Sequence, residues 1–321
     1  RHPLPATGNL KPREFPKNRI EKLIAEGGAH LKVIIDFDGT LTAEETQAAA
    51  LAAKILHTLA DEILEVPLSH LTTEFEQVRR RAKAQPHLYR WVVNGLTASY
   101  ADEGAFILNT TSVQVLLREN EKYLERVTAV YPNPEYDPVT DCMNALFHRH
   151  SAELSPEFRP ETAVVLNELL ADPNRSPVIL TNSLGDKVQR HLATLPLAAE
   201  MPVLGDTRQY EMAPDWQQTF PVENGTRSHF WQPLADFPID LRRPAYYRAL
   251  QQAQAEKAQV AVVADTLSLP GALPMVLGIP FFLLRTAYTP DWCLQVVAEH
   301  PMGRVLSNLG ELPKALRHET S

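Results

Sequence analysis

The chain has 321 residues, of which 44% are hydrophobic, with a formal net charge of −8 and a pI of about 5.8. This length and composition allow a substantial buried core, and they suggest two domains or one large domain with an insertion. The acidic balance argues against nucleic acids as partners, since their phosphates require clustered cations, and against an anionic membrane surface. No apolar run approaches the roughly 20 residues that span a bilayer.

The N-terminal residues and the cysteines bear on the expected compartment. Residues 1–17 are rich in proline and basic residues, and they predict an extended arm without the apolar segment of a secretory signal. A short helix ending at Gly27 and Gly28 completes this segment, residues 1–30, whose start without Met suggests processing or truncation. Cys142 and Cys293 have no metal-like spacing, so we expect free thiols in a reducing cytoplasm.

The stretch LKVIIDFDGTLT, residues 31–42, combines an apolar run with two aspartates. The run predicts a strand that is buried on both faces, as in a parallel sheet. Asp36 follows that strand, Asp38 comes two residues later, and Gly39 permits a sharp turn that directs both side chains inward. Because paired carboxylates are costly to bring together without a cation or a shared proton, this pair suits Mg²⁺.

Residues 43–154 show helical apolar spacing interrupted by Pro, Gly and Asn, and they predict an all-helical insertion of about 110 residues. The stretch LYRWVVNGLTASY, residues 88–100, is included among these predicted helices. The basic cluster in residues 79–83 is more typical of a solvated helix face than of a substrate contact. His148 and His150 have neither an i,i+4 partner nor a nearby Cys, so we do not expect them to bind a metal.

From residue 155 onward, predicted strands alternate with predicted helices. This order predicts a doubly wound, Rossmann-like α/β core formed by residues 31–42 and 155–321. Ligands of such sheets bind beyond the carboxyl ends of the strands, and Asp36, Thr181 and Asp265 each follow a predicted strand there. Residues 207–241 give no clear pattern.

The first motif resembles that of the haloacid dehalogenase-like (HAD) hydrolase superfamily, with Asp36, Phe37, Asp38, Gly39 and Thr40 matching it position by position. The resemblance implies that Asp36 attacks a phosphoryl group to form an aspartyl-phosphate. It also implies that Asp38 acts first as a general acid and then as a general base. The inserted helices would correspond to a cap that closes over the crevice.

The second and third motifs of that superfamily concern phosphate binding. The stretch PVILTNS matches the second, with Thr181 as the motif residue and Asn182 beside it. Arg243, followed by Pro244, stands where the superfamily has its third-motif lysine, and it keeps the positive charge. Lys187 is an alternative cation.

The fourth motif concerns the metal. Asp265 matches its first acid, so the resemblance implies that Mg²⁺ is held by Asp36, Asp38 and Asp265. The second acid is missing, and we expect weaker Mg²⁺ binding as a result. Asp206 with Glu211 forms another acidic loop, but Asp265 follows a longer strand and comes after Arg243 at a suitable distance.

These observations predict a Mg²⁺-dependent phosphoric monoester hydrolase that acts on a small phosphorylated metabolite. Asp38 separates this prediction from the dehalogenases, which need no proton shuttle at that position, but the resemblance leaves phosphonatases and phosphomutases open. The alternative is a catalytically weak or inactive HAD-fold binding protein, which the missing acid and the Arg in place of Lys would support. The sequence identifies neither the substrate nor the oligomeric state.

Overall fold

The computed structural model describes residues 30–222, 226–255 and 259–317, so the predicted arm and helix before residue 30 lie outside it. Strands occur both in the predicted core and in the predicted insertion. In chain order they are β1 (Leu31–Ile35), β2 (Arg90–Val93), β3 (Leu96–Tyr100), β4 (Arg175–Leu180), β5 (Val203–Leu204), β6 (Phe220–Pro221), β7 (Arg227–Ser228), β8 (Phe230–Trp231), β9 (Ile239–Asp240), β10 (Gln259–Ala264), β11 (Phe281–Leu284) and β12 (Gly303–Leu306).

The α-helices surround the strands, and none in the described ranges is long and apolar enough to cross a lipid bilayer. Short 3₁₀ or π-helical turns lie at residues 59–64, 86–88, 267–271 and 309–311. The α-helices are α1 (Glu44–Thr58), α2 (Leu68–Ala84), α3 (Ala105–Glu119), α4 (Glu121–Val130), α5 (Pro138–Ser151), α6 (Thr162–Ala171), α7 (Gly185–Leu192), α8 (Pro244–Ala255), α9 (Ala272–Val276), α10 (Asp291–Glu299) and α11 (Leu312–Ala315).

The centre of the molecule is a six-stranded sheet with the order β12-β11-β10-β1-β4-β5, in which every pairing is parallel. The predicted doubly wound α/β fold is confirmed. Ile35 of β1 pairs with Val263 of β10 on one side and with Ile179 of β4 on the other. Because these three strands end level with one another, the residues that follow them meet at one edge of the sheet.

Both faces of this sheet are buried, as the continuous apolar run of β1 predicts. Ile34 and Leu250 of α8 belong to the hydrophobic cluster on one face. Ile35 and Leu166 of α6 belong to the cluster on the other face. Burial of one such side chain contributes about 1.5–3 kcal/mol, so packing on both faces holds the strand ends rigidly in place.

Helices α1–α5 pack around a hydrophobic cluster of their own, but the inserted segment is not all-helical. The predicted helix over residues 88–100 is wrong, because β2 and β3 form an antiparallel hairpin there. Asn94 and Gly95 make its two-residue turn with φ angles of 51° and 75°. Asn-Gly is the residue pair that such left-handed turns favour, so the turn chemistry overrides the helical spacing of the apolar residues.

Hydrogen bonds join the hairpin to the core. The carboxylate of Glu103, just after β3, accepts hydrogen bonds from the backbone N–H groups of Leu267 (3.0 Å) and Ser268 (2.7 Å). The hydroxyl of Tyr100 donates to the carbonyl of Pro238 (2.8 Å). The inserted segment is therefore held to the core by the hairpin as well as by its two chain connections.

Residues 207–241 form two small antiparallel pairs, β6 with β7 and β8 with β9, as far as the structure describes them. Phe220 and Trp231 from these pairs are buried in the same cluster as Ile34. This part of the chain therefore covers one face of the sheet.

Candidate active site

The turn after β1 carries the two aspartates of the first motif. The N–H of Asp36 donates to the carbonyl of Val263 in β10 (2.9 Å), which fixes Asp36 at the edge of the sheet. Gly39 has a φ of +78°, and a Cβ atom there would lie 2.1 Å from Oδ2 of Asp265. The turn therefore requires glycine for its backbone angle and for the space that Asp265 occupies.

Asp265, directly after β10, is joined to the same turn. The hydroxyl of Thr40, which is fully buried, donates to Oδ1 of Asp265 at 3.2 Å. The structure thus brings together the residues that match the first and fourth motifs. Asp206 and Glu211 do not line the cavity that contains these aspartates.

The loop after β4 carries the residues of the second motif. Thr181 accepts a hydrogen bond from the N–H of Ser183 (3.1 Å), and Oδ1 of Asn182 accepts one from the N–H of Gln209 (2.7 Å). The hydroxyl of Ser183 donates to Oδ2 of Asp38 at 2.7 Å. Ser183 was not singled out from the sequence, although it lies within the PVILTNS stretch that carries the motif.

Glu44 is a second functional candidate that sequence analysis did not single out. It lies in the first turn of α1, it is 8% exposed, and it lines the same cavity as Asp36, Asp38 and Asp265. Its Oε1 accepts a hydrogen bond from the N–H of Ala105 at the start of α3 (2.5 Å). The only signal in the sequence is its position shortly after the first motif.

Three of the four carboxyl groups in the cavity have raised pKa values. Desolvation, together with the charges of Asp265 and Asp38, raises the pKa of Asp36 well above its ordinary value. Desolvation and the charge of Asp265 do the same to the pKa of Glu44. Desolvation also raises the pKa of Asp265 to about 7, although Arg159 and Thr40 oppose this rise. The site therefore stabilises protons or a cation among its carboxyl groups.

The sequence predicts that Arg243 binds phosphate, but the structure places it outside the cavity that contains the aspartates. Its side chain is 1% exposed and is absent from the lining of the cavity. The guanidinium donates to the carbonyl of Ala98 in β3 and to that of Gln209 (3.3 Å). It fastens the hairpin to the core, because buried carbonyls need donors and a guanidinium supplies several.

Two other candidate cations do not line the cavity either. Arg159 donates through Nε (3.1 Å) and Nη2 (2.5 Å) to the carbonyl of Gly39, and so supports the aspartate turn. Lys187, the alternative cation, is buried on α7, and its charge is one cause that lowers the pKa of His148. Neither residue is therefore placed to contact a ligand inside the cavity.

The cavity above the carboxylates has a volume of about 150 Å³. The sheet edge supplies its polar floor, with Thr181 and Asn182 beside the aspartates. Much of its remaining wall is apolar or aromatic and comes from both the inserted segment and the core. The apolar lining consists of Trp91, Phe106, Ile107, Met143, Phe147, Tyr210, Leu269 and Pro270.

The carboxyl groups of the cavity can be compared with the ligands that Mg²⁺ usually takes in proteins. In residues 30–222, 226–255 and 259–317, no three His, Cys, Asp or Glu side chains are arranged as a ready set of metal ligands. Mg²⁺, however, is usually bound by one or two carboxylates together with waters and phosphate oxygens. Asp36, Asp38 and Asp265 offer such oxygens, and desolvation together with the charges of Asp265 and Asp38 raises the pKa of Asp36. The residues fit an open Mg²⁺ site rather than a closed metal cage.

No protein-family model matches the sequence, and no curated protein matches it. Solved structures to which the chain is similar include YfnB, a candidate HAD hydrolase of Bacillus subtilis in a magnesium-bound form. The two are 14% identical over 90% of this chain and 99% of that one, with a TM-score of 0.47.

Two further similar structures come from other bacteria. One is a candidate β-phosphoglucomutase of Thermotoga maritima (12% identity, 89% and 97% coverage of this chain and that one, TM-score 0.44). The other is a haloacid dehalogenase-like family hydrolase of Xanthomonas campestris (12% identity, 91% and 92% coverage, TM-score 0.42). YfnB and the Xanthomonas campestris hydrolase carry the HAD name, and the motif in residues 31–42 resembles that of the superfamily with this name. At these identities and TM-scores, the activity of this chain has to be inferred from its own residues.

Proposed function

We propose that the chain is a Mg²⁺-dependent phosphoric monoester hydrolase of the HAD type, which acts through an aspartyl-phosphate on Asp36. The observation that carries this proposal is the meeting of Asp36, Asp38, Thr181 and Asp265 around one cavity at the carboxyl ends of three adjacent strands. This is the edge at which open α/β sheets bind their ligands.

Asp36 is the proposed nucleophile. One of its carboxylate oxygens attacks phosphorus, a P–O bond forms, and the bond between phosphorus and the ester oxygen breaks. A carboxylate is a weak nucleophile, and its reactivity here would come from its placement and from a cation held beside it. Hydrolysis of the aspartyl-phosphate by water then releases inorganic phosphate and restores the carboxylate of Asp36.

Asp38 is the proposed proton shuttle. It gives a proton to the departing oxygen in the first step and takes one from the attacking water in the second. The Ser183 hydroxyl holds Oδ2 of Asp38 at 2.7 Å, which orients the carboxyl group and leaves its other oxygen for proton transfer. This pair supports a phosphatase rather than a dehalogenase, which has no need of a proton shuttle at that position.

Phosphoryl binding falls to Thr181, to Asn182 and to the metal, because no Lys or Arg is among the residues that line the cavity in the described parts of the chain. Asp36, Asp38 and Asp265 are the residues that would hold Mg²⁺, which when bound neutralises phosphoryl charge and lowers the repulsion among the carboxylates. Thr181 and the backbone amides beside it can hold a phosphoryl oxygen.

The inserted segment, residues 43–154, is proposed to act as the cap. Trp91, Phe106, Phe147 and His148 from this segment line the cavity above the aspartates. A cover of this kind excludes water, which strengthens electrostatic interactions inside the site and protects the phosphorylated enzyme.

Hydrolysis of p-nitrophenyl phosphate tests the proposal, with the purified chain assayed in chelator and then with added Mg²⁺. We expect turnover that depends on Mg²⁺, and a loss of at least about three orders of magnitude in Asp36→Asn because the nucleophile is removed. Asp61→Asn, an exposed substitution of the same chemistry, should behave as wild type. If a broad panel of phosphoesters releases no phosphate, the alternative of a HAD-fold binding protein takes its place.

A further inference from the structure

The cavity lining outside the carboxylates is more apolar than phosphoryl transfer itself requires, although Thr110, Asn144 and Gln209 also line it. Phe106 lies in α3, Phe147 lies in α5, and their rings meet edge to face with centroids 5.4 Å apart. Trp91 comes from the hairpin and Leu269 from the loop after β10. Four separate elements of the fold therefore contribute apolar surface to one cavity, and a wall of this kind favours an apolar ligand group.

The charged side chains that line the cavity in the described ranges are all acidic. Asp36, Asp38, Glu44 and Asp265 line it, and no Lys or Arg does so within the described ranges. His148 is the remaining titratable group of basic type in the lining, and desolvation lowers its pKa, which favours the neutral imidazole. A bound Mg²⁺ would balance the phosphoryl group, but a second anion on the substrate would lie among carboxylates without a partner.

The candidate cations named above do not line the cavity, and the two arginines among them are engaged elsewhere. The guanidinium of Arg243 is bonded to the carbonyls of Ala98 and Gln209, and that of Arg159 to the carbonyl of Gly39. Both are thereby committed to holding the backbone around the cavity. No arginine is left inside it to recognise a carboxylate or a second phosphate.

The size of the cavity limits the group further. A dry protein cavity of about 150 Å³ is large enough for one benzene ring, and the cavity here has about that volume. Because the phosphoryl group beside the aspartates occupies part of this volume, the space that is left suits a leaving group no larger than a single ring or a short alkyl chain.

We infer that the substrate of this site is a phosphate monoester with a compact, apolar leaving group that carries no negative charge. This inference rests on the proposed function, and it names the substrate class. It excludes sugar bisphosphates and phosphorylated carboxylic acids as preferred substrates.

The test uses three aryl esters that differ only in one para substituent: phenyl phosphate, p-carboxyphenyl phosphate and p-(aminomethyl)phenyl phosphate. We expect kcat/KM to be at least about tenfold lower for the carboxylated ester than for the other two, because like charges brought together at a desolvated site are strongly disfavoured. The carboxylate makes the phenol a slightly better leaving group, so chemistry alone would favour the opposite order.

A pair of variants tests the apolar wall. Phe147→Ala should raise the KM for phenyl phosphate by about tenfold, the scale of lost apolar contacts in a binding pocket. Inorganic phosphate has no leaving group to contact that wall, so its inhibition constant should stay unchanged. Phe230→Ala is the matched control, since Phe230 is 45% exposed and does not line the cavity.

The outcomes separate the two proposals. If the carboxylated ester is cleaved as fast as phenyl phosphate or faster, the inference is overturned while the phosphatase assignment stands. If none of the esters is cleaved with Mg²⁺ present, the phosphatase assignment is overturned, and the substrate class falls with it.

Discussion

At the residue scale, the acidic cluster contains one residue, Glu44, that the motifs did not predict. The resemblance to HAD hydrolases implies a second acid soon after Asp265, and the residues that follow, 266–270, include none. Glu44 instead places a fourth carboxylate in the cavity, from the first turn of α1. The charge of Asp265 is the second cause, after desolvation, of the raised pKa of Glu44. The negative charge that the loop after β10 lacks is therefore supplied by a different element.

Substitution Glu44→Gln tests this role. Gln keeps an oxygen that can accept the hydrogen bond from the N–H of Ala105 but removes the charge. We expect a higher unfolding temperature than wild type in metal-free buffer at about pH 8, because a desolvated carboxylate facing other carboxylates is destabilising. We also expect a smaller rise in unfolding temperature when Mg²⁺ is added, since the cation has one less negative charge to balance.

Thermal unfolding in chelator and with added Mg²⁺ measures both effects without any assay of activity. Glu125→Gln, on the exposed face of α4, is the matched control and should follow wild type. A metal-free variant that unfolds at a lower temperature than wild type at this pH would contradict the role assigned to Glu44.

At the scale of elements, the hairpin of β2 and β3 is the part of the fold that local patterns predicted incorrectly. The apolar residues of 88–100 fit a helical spacing, whereas the Asn94–Gly95 pair within them is typical of a hairpin turn. The role of Arg243 was predicted incorrectly for a related reason, because its hydrogen bond to the Ala98 carbonyl depends on where the hairpin docks. A contact across 145 residues of chain leaves no local pattern, whereas the strand ends at Asp36, Thr181 and Asp265 do.

Glu103 should be the main determinant of this docking. Its carboxylate is fully buried and accepts hydrogen bonds from the hydroxyl of Ser99 and from the N–H groups of Leu267 and Ser268. Glu103→Ala leaves these buried donors without an acceptor, so we expect a loss of at least about 2 kcal/mol in the free energy of unfolding. Urea unfolding measures this loss.

A second measurement separates docking from general stability. Amide hydrogen exchange at Leu267 and Ser268 should become faster in Glu103→Ala than the change in global stability explains, because their acceptor is gone. Glu125→Ala, a truncation of an exposed glutamate, should alter neither quantity. Unchanged exchange at both amides would show that the hairpin is held by other contacts.

At the scale of the whole molecule, the buried carboxyl groups of the cavity make stability depend on pH. Asp265 has a pKa of about 7 in the folded protein, compared with about 3.9 for an unperturbed aspartate. The folded state therefore holds this proton more tightly than the unfolded chain does. The resulting stabilisation is complete below about pH 4 and is lost as the pH rises through about 7. Asp36 and Glu44, whose pKa values are also raised, act in the same direction.

We therefore expect the unfolding temperature of the metal-free protein to fall as the pH is raised from about 5 to about 8. Asp265→Asn should show a smaller fall, because its amide does not titrate, and Asp61→Asn should show the same fall as wild type. Calorimetry across this pH range provides the measurement. An unfolding temperature that rises over the same range would rule out buried, proton-binding carboxyl groups as the dominant influence.

The hairpin's attachment also has a consequence for how ligands exchange with solvent. A segment joined to a core only by its two chain crossings can swing open about them as a rigid body. The hydrogen bonds of Glu103 and Tyr100 tether the hairpin as well, and a swing of the whole segment would break them. Helices α3 and α5 share this attachment, because Gln114 of α3 and Thr140 of α5 are hydrogen-bonded to the backbone of Val92 in β2. Exchange of a ligand by such a swing would therefore require these tethers to break.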